Sequence, residues 1–425
     1  MKLRLLDETA DDDLAQSWGL SRLAFGGDPA YVPSPPRFPM VVAGAFDDGD
    51  RLVAKVVGLD YQQWWGGRQV PMLGIAGVTV LPEHRGQGLL RPLMDLLLSE
   101  CGQPVSALFP TAPGIYRRLG WEVVGSLDHT PVPLSALPRA AGRVRAATEQ
   151  DTPTLAALYA ERGAHGNGLL TRTGPSFPDA PKAVLDSDVV SVVEEGGRIT
   201  GYVSYDRGRG YRGGGQLRVW DCVTTGPGPL RALLGSLSSW DAVVDTVLWR
   251  GRTDLLGLEL SRSLGPPTEV QPWMLRVTDP VAAVSARGFA GGSATAAFAL
   301  GERGYRLEVA DGRGRLSDVD PAGCRSSTYG ASPSCTPAAR PVACCLRGCW
   351  TVRRPSSSRR SRALPPRSST TSDRHAASGA RRPARYGLHS KDETEPHHRH
   401  RPHGHRGRRA ARPQHGAPAA PARAR

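Results

Sequence analysis

The sequence predicts an α+β protein: two consecutive α/β units with the same element order, a shorter mixed segment, and a tail without regular structure. Three observations predict it. Apolar segments of strand length alternate with amphipathic helices from Leu3 onward. The same order starts over near Gly142, and hydrophobic periodicity disappears beyond about Leu316, where Arg, Pro, Ser and His take over.

Leu3 to Leu6 reads as a first strand and Asp11 to Phe25 as an amphipathic helix, its acids placed where the macrodipole favours them. Val41 to Phe46 and Leu52 to Leu59 are β-branched-rich, and Asp47-Asp48-Gly49-Asp50 between them is a hairpin signal. Met72 to Val80 is apolar almost throughout, as in a strand buried on both faces. It leads through Pro82-Glu83-His84-Arg85-Gly86-Gln87-Gly88 into a helix carrying Leu89, Leu90, Leu93, Met94, Leu96 and Leu97, which ends near Cys101-Gly102. Val105 to Phe109 makes another strand, and Pro113 to Leu119 a short helix.

In the second unit Val144 to Ala146, a helix from Asp151 to Arg162, strands at Val189 to Val193 and Ile199 to Tyr205, Leu217 to Val223 and a helix from Pro229 to Leu237 repeat that order. The glycine-and-arginine loop does not recur. The pattern fits a duplicated domain whose second copy lost its loop; two unrelated α/β segments of similar rhythm are the alternative. A third segment begins near Pro272 to Val277, with a helix at Val281 to Arg287 and a strand at Tyr305 to Val309.

Composition excludes less than it suggests. The chain has 425 residues and a net charge of +14, which invites a nucleic-acid reading. Yet 22 of the 54 basic residues and only 4 of the 40 acidic ones follow Asp320, so residues 1–320 hold 32 basic and 36 acidic groups, a net of −4. Five of seven cysteines crowd between Cys324 and Cys349, which sets no disulfide framework. No run of about 18 apolar residues and no secretory h-region occurs, so a cytoplasmic protein without membrane contact is expected.

The chemistry points to Arg85-Gly86-Gln87-Gly88-Leu89-Leu90, between a buried strand and a helix. Glycines allow successive N–H groups to converge on one pyrophosphate, and the helix N-terminus adds its positive end. Arg85 and Arg91 supply charge-assisted contacts to the same group. A tight strand-to-helix turn without a ligand is the plainer reading of such a loop. Tyr116 opens a short helix; a phenol stays protonated at neutral pH and donates to a departing thiolate, although a core tyrosine looks the same in sequence.

Ala76 to Arg91, followed by Ser106-Ala107-Leu108-Phe109 and by Gly114-Ile115-Tyr116-Arg117-Arg118-Leu119-Gly120-Trp121, resembles the Eis-type (enhanced intracellular survival) GNAT acetyltransferases. The resemblance covers roughly residues 1–320. It implies a catalytic GNAT domain at 1–137, a degenerate second GNAT-like domain at 138–275 and the start of a sterol-carrier-protein-like domain at 276–320, incomplete here, before a tail at 321–425. It implies acetyl-CoA as co-substrate, no metal, an amine acceptor that is a small molecule or a protein lysine, and a homohexamer. By position, Val78, Thr79 and Val80 face the pantetheine arm, and Arg85, Gly86, Gln87, Gly88, Leu89, Leu90 and Arg91 wrap the pyrophosphate. Thr111 and Ala112 lie near the thioester, and Tyr116 is the proton donor. Leu90 stands where most GNAT loops have Gly or Ala.

Two departures follow. Phe25 matches an aromatic of the family's acceptor pocket, but Gly27 replaces the acid expected two residues later, with Asp28 one place further. The family's general base is the terminal carboxylate, usually of Phe, whereas this sequence finishes at Arg425 in a tract carrying eight of the eleven histidines. That tract reads as a basic nucleic-acid-binding tail, as a metal site around His397, His398, His400, His403 and His405, or as the product of a frameshift. The last is favoured, since Ser369 to Asp373 can be encoded so that a one-base shift reads Tyr-Asp-Phe-stop. The chain as written is then expected to bind acetyl-CoA and acetylate poorly. A non-catalytic binding protein, for nucleic acid through the tail or lipid through the third segment, is the rival function; the tail's sparse aromatics argue against specific nucleic-acid recognition.

Overall fold

The computed structural model describes residues 1–321, except 29, 30, 32, 33, 36–38, 140, 141 and 212. The expectations for the basic tail, its histidines, its cysteines and a shifted frame fall on 322–425, outside the described residues. The first unit comprises β1 (Lys2–Leu5), α1 (Asp11–Phe25), β2 (Met40–Phe46), β3 (Leu52–Trp65), β4 (Arg68–Val80), α2 (Leu90–Cys101), β5 (Val105–Leu108), α3 (Pro113–Arg118) and β6 (Glu122–Pro133). The second comprises β7 (Val144–Ala146), α4 (Thr152–Ala164), β8 (Asn167–Leu170), β9 (Val189–Glu195), β10 (Arg198–Arg207), β11 (Gln216–Thr224), α5 (Pro227–Ser238), β12 (Thr246–Arg250), α6 (Asp254–Glu259) and β13 (Glu269–Val277). After these come α7 (Pro280–Ala286), β14 (Ala294–Leu300), β15 (Arg303–Ala310) and β16 (Arg313–Val319).

One mixed sheet runs through both units in the order β1-β2-β3-β4-β5-β13-β6-β12-β11-β10-β9-β7, with β8 also on β3. Its only parallel pairs among the described residues are β4 with β5 and β11 with β12. Strand β6 joins the halves, since Glu122 to His129 pair with β13 and His129 to Pro133 pair with β12. Each half has its own core. Leu93, Met94 and Leu97 of α2 pack with Phe46, Val56, Leu73 and Trp121; Leu233, Leu234 and Leu237 of α5 pack with Leu217, Val219 and Val247. The apolar stripe read in α2 thus faces the sheet, as helical spacing requires.

Several strands are longer than the sequence reading, and the reasons are local. Strand β3 continues past Leu59 to Trp65 because Asp60 and Gln62 face solvent while Gln63 and Trp65 turn inward, a period-two pattern masked by polar residues. It turns at Gly66-Gly67, both at positive φ (59° and 83°), as a two-residue hairpin demands, so β4 begins at Arg68. Strand β6 extends through Pro133, and β8, β12, α6 and β14 lie where no periodic run stood out. Order also persists beyond Leu316, for β16 reaches Val319 and closes a three-stranded antiparallel sheet, β14-β15-β16. Phe298, Tyr305, Leu307 and Leu316 of that sheet share a core with Trp65, Met72, Val105 and Leu275.

Candidate active site

Strands β4 and β5 stay paired only over Met72–Gly74 against Val105–Ala107. Strand β4 continues to Val80 on its β3 side, so the β5-facing edge of Ile75–Val80 is unpaired among the described strands. Such an edge offers main-chain donors and acceptors to whatever lies beside it. Opposite Val56 the strand bulges, because Thr79 pairs with Lys55 but Ala76 with Val57. Gly77 takes the left-handed conformation there (φ 56°), where a side chain would press within 2.7 Å of Val57. Val78 and Val80 are half-buried and Thr79 is buried, so the strand is held rigidly up to its last residue.

A single turn, Pro82–His84, follows Leu81. The N–H groups of His84 and Arg85 return to the carbonyls of Leu81 and Pro82. From Gly86 the backbone changes hand: Gly86 has φ 79° and Gly88 φ 75°, with nothing within 4 Å of either missing side chain. Among the described residues no backbone carbonyl accepts from the N–H groups of Gly86, Gln87, Gly88 or Leu89. Four successive unclaimed amides ahead of the N-terminus of α2 form an anion-binding concavity. Arg85 and Gln87 are exposed and fold back on the loop, Arg85 Nε to the Val80 carbonyl at 3.3 Å and Gln87 Nε2 to that of Glu83 at 3.3 Å. Leu89 is buried and Leu90 half-buried, anchoring the loop from below. Arg91 donates to the Arg118 carbonyl at 2.6 Å, tying the first turn of α2 to the end of α3.

On the far side, β5 ends at Leu108, and Phe109 (47 % exposed), Thr111 and Ala112 carry the chain to α3. Tyr116 is 7 % exposed and packs in the same core as Leu108, Trp121 and Met274. Burial pushes its phenol above the ordinary value, so the proton is held at neutral pH. Its carbonyl accepts from Leu119 and Trp121, which fixes the short helix. Three features escaped the sequence reading: the bulge at Gly77, the ion pair of half-buried Arg117 with buried Glu122 (2.9 Å) beside Tyr116 in the chain, and Met274, delivered by β13. Only the lone Gly77 inside an apolar strand offered a signal. Phe25, at the end of α1, is exposed, and Gly26 and Gly27 at positive φ lead on to the exposed Asp28. No cluster of three or more metal-ligating side chains occurs among the described residues.

The second unit repeats the strand arrangement without the cradle. Strands β11 and β12 pair in parallel over Gln216–Val219 and Thr246–Trp249 and then part. The link that follows, Thr225-Gly226, is short, the first turn of α5 carries two prolines without N–H groups, Pro227 and Pro229, and neither Gly226 nor Gly228 has positive φ.

Residues 7–124 match the model of an acetyltransferase (GNAT) domain, and residues 168–277 match a second acetyltransferase (GNAT) domain model. An uncharacterized N-acetyltransferase of Streptomyces coelicolor is 27% identical over 233 residues, 50% of this chain and 52% of that protein. The N-acetyltransferase Eis of Mycobacterium tuberculosis is 32% identical over 97 residues, 22% of this chain and 24% of that protein. The chain thus spans about half the length of the first relative and a quarter of the second. Among solved structures, a GCN5-related N-acetyltransferase from Kribbella flavida superposes with TM-score 0.63 at 29% identity, covering 75% of this chain and 84% of that one. Eis1 from Mycobacterium abscessus shares the fold, with TM-score 0.57 at 23% identity over 76% of this chain and 86% of that one. With two GNAT domains in tandem on one continuous sheet, the chain belongs to the GNAT acetyltransferases and is similar over 97 residues to Eis of Mycobacterium tuberculosis.

Proposed function

We propose that the chain is an acetyl-CoA-dependent N-acetyltransferase that moves an acetyl group to a primary amine, either a polyamine- or aminoglycoside-like small molecule or a protein lysine. The observation that carries the proposal is the run of four unclaimed amides from Gly86 to Leu89 beside the unpaired edge of Ile75–Val80. The cradle takes the pyrophosphate, with Arg85 and Arg91 beside it and Leu90 holding the first turn of α2. Main-chain groups of Val78, Thr79 and Val80 hold the pantetheine arm as an added strand would. One N–H of that edge polarises the thioester carbonyl, and Thr111 and Ala112 line the opposite wall. The amine nitrogen attacks the carbonyl carbon, the C–S bond breaks, and Tyr116 gives its proton to the leaving sulfur. An alkylamine is mostly protonated at neutral pH, so it sheds one proton to solvent before it attacks, and the proton its nitrogen loses on becoming the amide balances the one that Tyr116 gave to sulfur.

The catalytic domain is proposed to occupy 1–137 and the degenerate copy 138–275, with a sterol-carrier-like third part beginning at 276. A homohexamer is proposed from the family, and mass photometry tests it. Thiol release from acetyl-CoA with a panel of amines tests the activity, run on the wild type and on Tyr116→Phe. The variant is expected to bind the coenzyme with unchanged affinity and to lose about a hundredfold in kcat, within the range of a lost general acid. Absence of any coenzyme A affinity by calorimetry would overturn the proposal.

A further inference from the structure

The second unit keeps the parted pair of strands but lines it with different chemistry. Arg250, the last residue of β12, pairs across the sheet with His129 of β6, and His129 pairs with Glu269 of β13, so the three side chains share one face. Trp220 of β11 is the bulged residue between Val219 and Asp221, and it is flanked by Arg250 at 5.3 Å and Arg218 at 5.5 Å. Arg172 reaches the same region, stacked 4.0 Å from the Tyr159 ring and doubly bonded to Asp221.

The acids around this face are engaged. Asp221 is taken by Arg172, Asp206 accepts from the Trp220 indole N–H at 2.7 Å, and Glu269 lies 3.4 Å from His129 and accepts from Gln271 at 2.7 Å. Arg250 is half-buried, yet among the described residues no carboxylate stands within ion-pair distance of it. Burial lowers its pKa and that of His129, and Arg250 and Arg218 add to the lowering at His129, which keeps the imidazole neutral beside them. A guanidinium withdrawn from water, with five donors and no carboxylate, is stabilised by an acceptor brought from outside.

From this arrangement we infer that the face bearing Arg250, Arg218, Trp220 and His129 is a binding site for a small oxyanionic ligand, a carboxylate or a phosphate monoester, separate from the glycine cradle. It occupies in the second unit the place that the coenzyme cleft has in the first. The exchange has a physical logic: the start of α5 has lost two amide donors to Pro227 and Pro229, while side-chain cations have collected at the closed end of the strand gap. Trp220 supplies a planar wall and Arg250 the fork that an oxyanion accepts from.

Calorimetric titration of the full chain with citrate and, separately, with inorganic phosphate tests the site. Saturable binding is expected, weakened about tenfold in Arg250→Gln and in Arg218→Gln, as for the loss of one charged hydrogen bond. With excess coenzyme A present to fill the cradle, Arg85→Gln is expected to leave this anion binding unchanged, which keeps the site distinguishable from the proposed coenzyme site. The anion that binds more tightly names the oxyanion the face prefers. Arg218 is exposed, so its variant folds even if Arg250→Gln does not. Wild-type affinity in Arg218→Gln, loss of binding only in Arg85→Gln, or no saturation by either anion overturns the inference.

Discussion

Lys55 illustrates what one buried charge does to this molecule. It sits 3% exposed on β3, its Nζ 2.7 Å from Ser17 Oγ on α1, with Glu8 as the nearby counter-charge. Desolvation lowers the ammonium to a pKa of about 8 against the Coulombic help of Glu8, and desolvation also raises the Glu8 carboxyl. The sign of the consequence follows from proton counting. Between about pH 8 and the unfolded value of about 10.4 the unfolded chain binds the proton that the folded chain has released, so folding is favoured as pH rises through that window. The melting temperature of the wild type relative to Lys55→Met should therefore rise from pH 8 to pH 10. A difference independent of pH would show that Lys55 titrates normally.

At the level of the element, the cradle can be separated from an ordinary turn by three glycines that share a conformation but not a place. Gly86 and Gly88 lie in the loop, while Gly102 ends α2 in the same left-handed region (φ 68°), and none has a neighbour within 4 Å of its missing side chain. Alanine at any of them costs backbone strain of about 1–2 kcal/mol and nothing else in packing. Gly88→Ala and Gly102→Ala should then lower stability alike in urea denaturation, whereas only Gly88→Ala should weaken coenzyme A binding, by tenfold or more. Equal coenzyme affinity in the two variants would reduce the loop to a turn. Gly66 differs, since a side chain there meets the Gly288 carbonyl at 2.1 Å. Gly66→Ala should destabilise more than either and leave coenzyme binding intact, which the same denaturation and calorimetry would read.

The loop and its flanks were legible in sequence because the signal is local: an apolar strand, two glycines with one residue between, and a helix whose leucines recur at the right spacing. The bounds of α1 were read off its sequence for the same reason. The polar half of β3 and the short β12 were not, because burial on one edge of a sheet depends on partners distant in the chain. Nor was the unpaired edge of β4, which opens where β5 leaves it after Ala107.

Across the whole molecule, the decisive non-local feature is β13. It enters between β5 and β6, pairing Met274 with Leu108 and Leu275 with both Ala107 and Glu122, so the sheet that carries the cradle is completed by the last strand of the second unit. Met274 is fully buried and packs in one core with Tyr116 and Trp121. Without β13 the edges of β5 and β6 would be open and Trp121, 1% exposed, would lose part of its cover. A fragment ending at Leu137 should accordingly aggregate or show no cooperative unfolding, although it contains every residue proposed for coenzyme binding. In the intact chain Met274→Ala should cost about 2–5 kcal/mol of stability, the range for emptying a buried position. It should also reduce kcat more than coenzyme affinity, because the cavity opens beside Tyr116 and not beside Gly86. Cooperative melting and coenzyme binding by the 1–137 fragment would show instead that the first unit stands alone and that β13 is only attached to it.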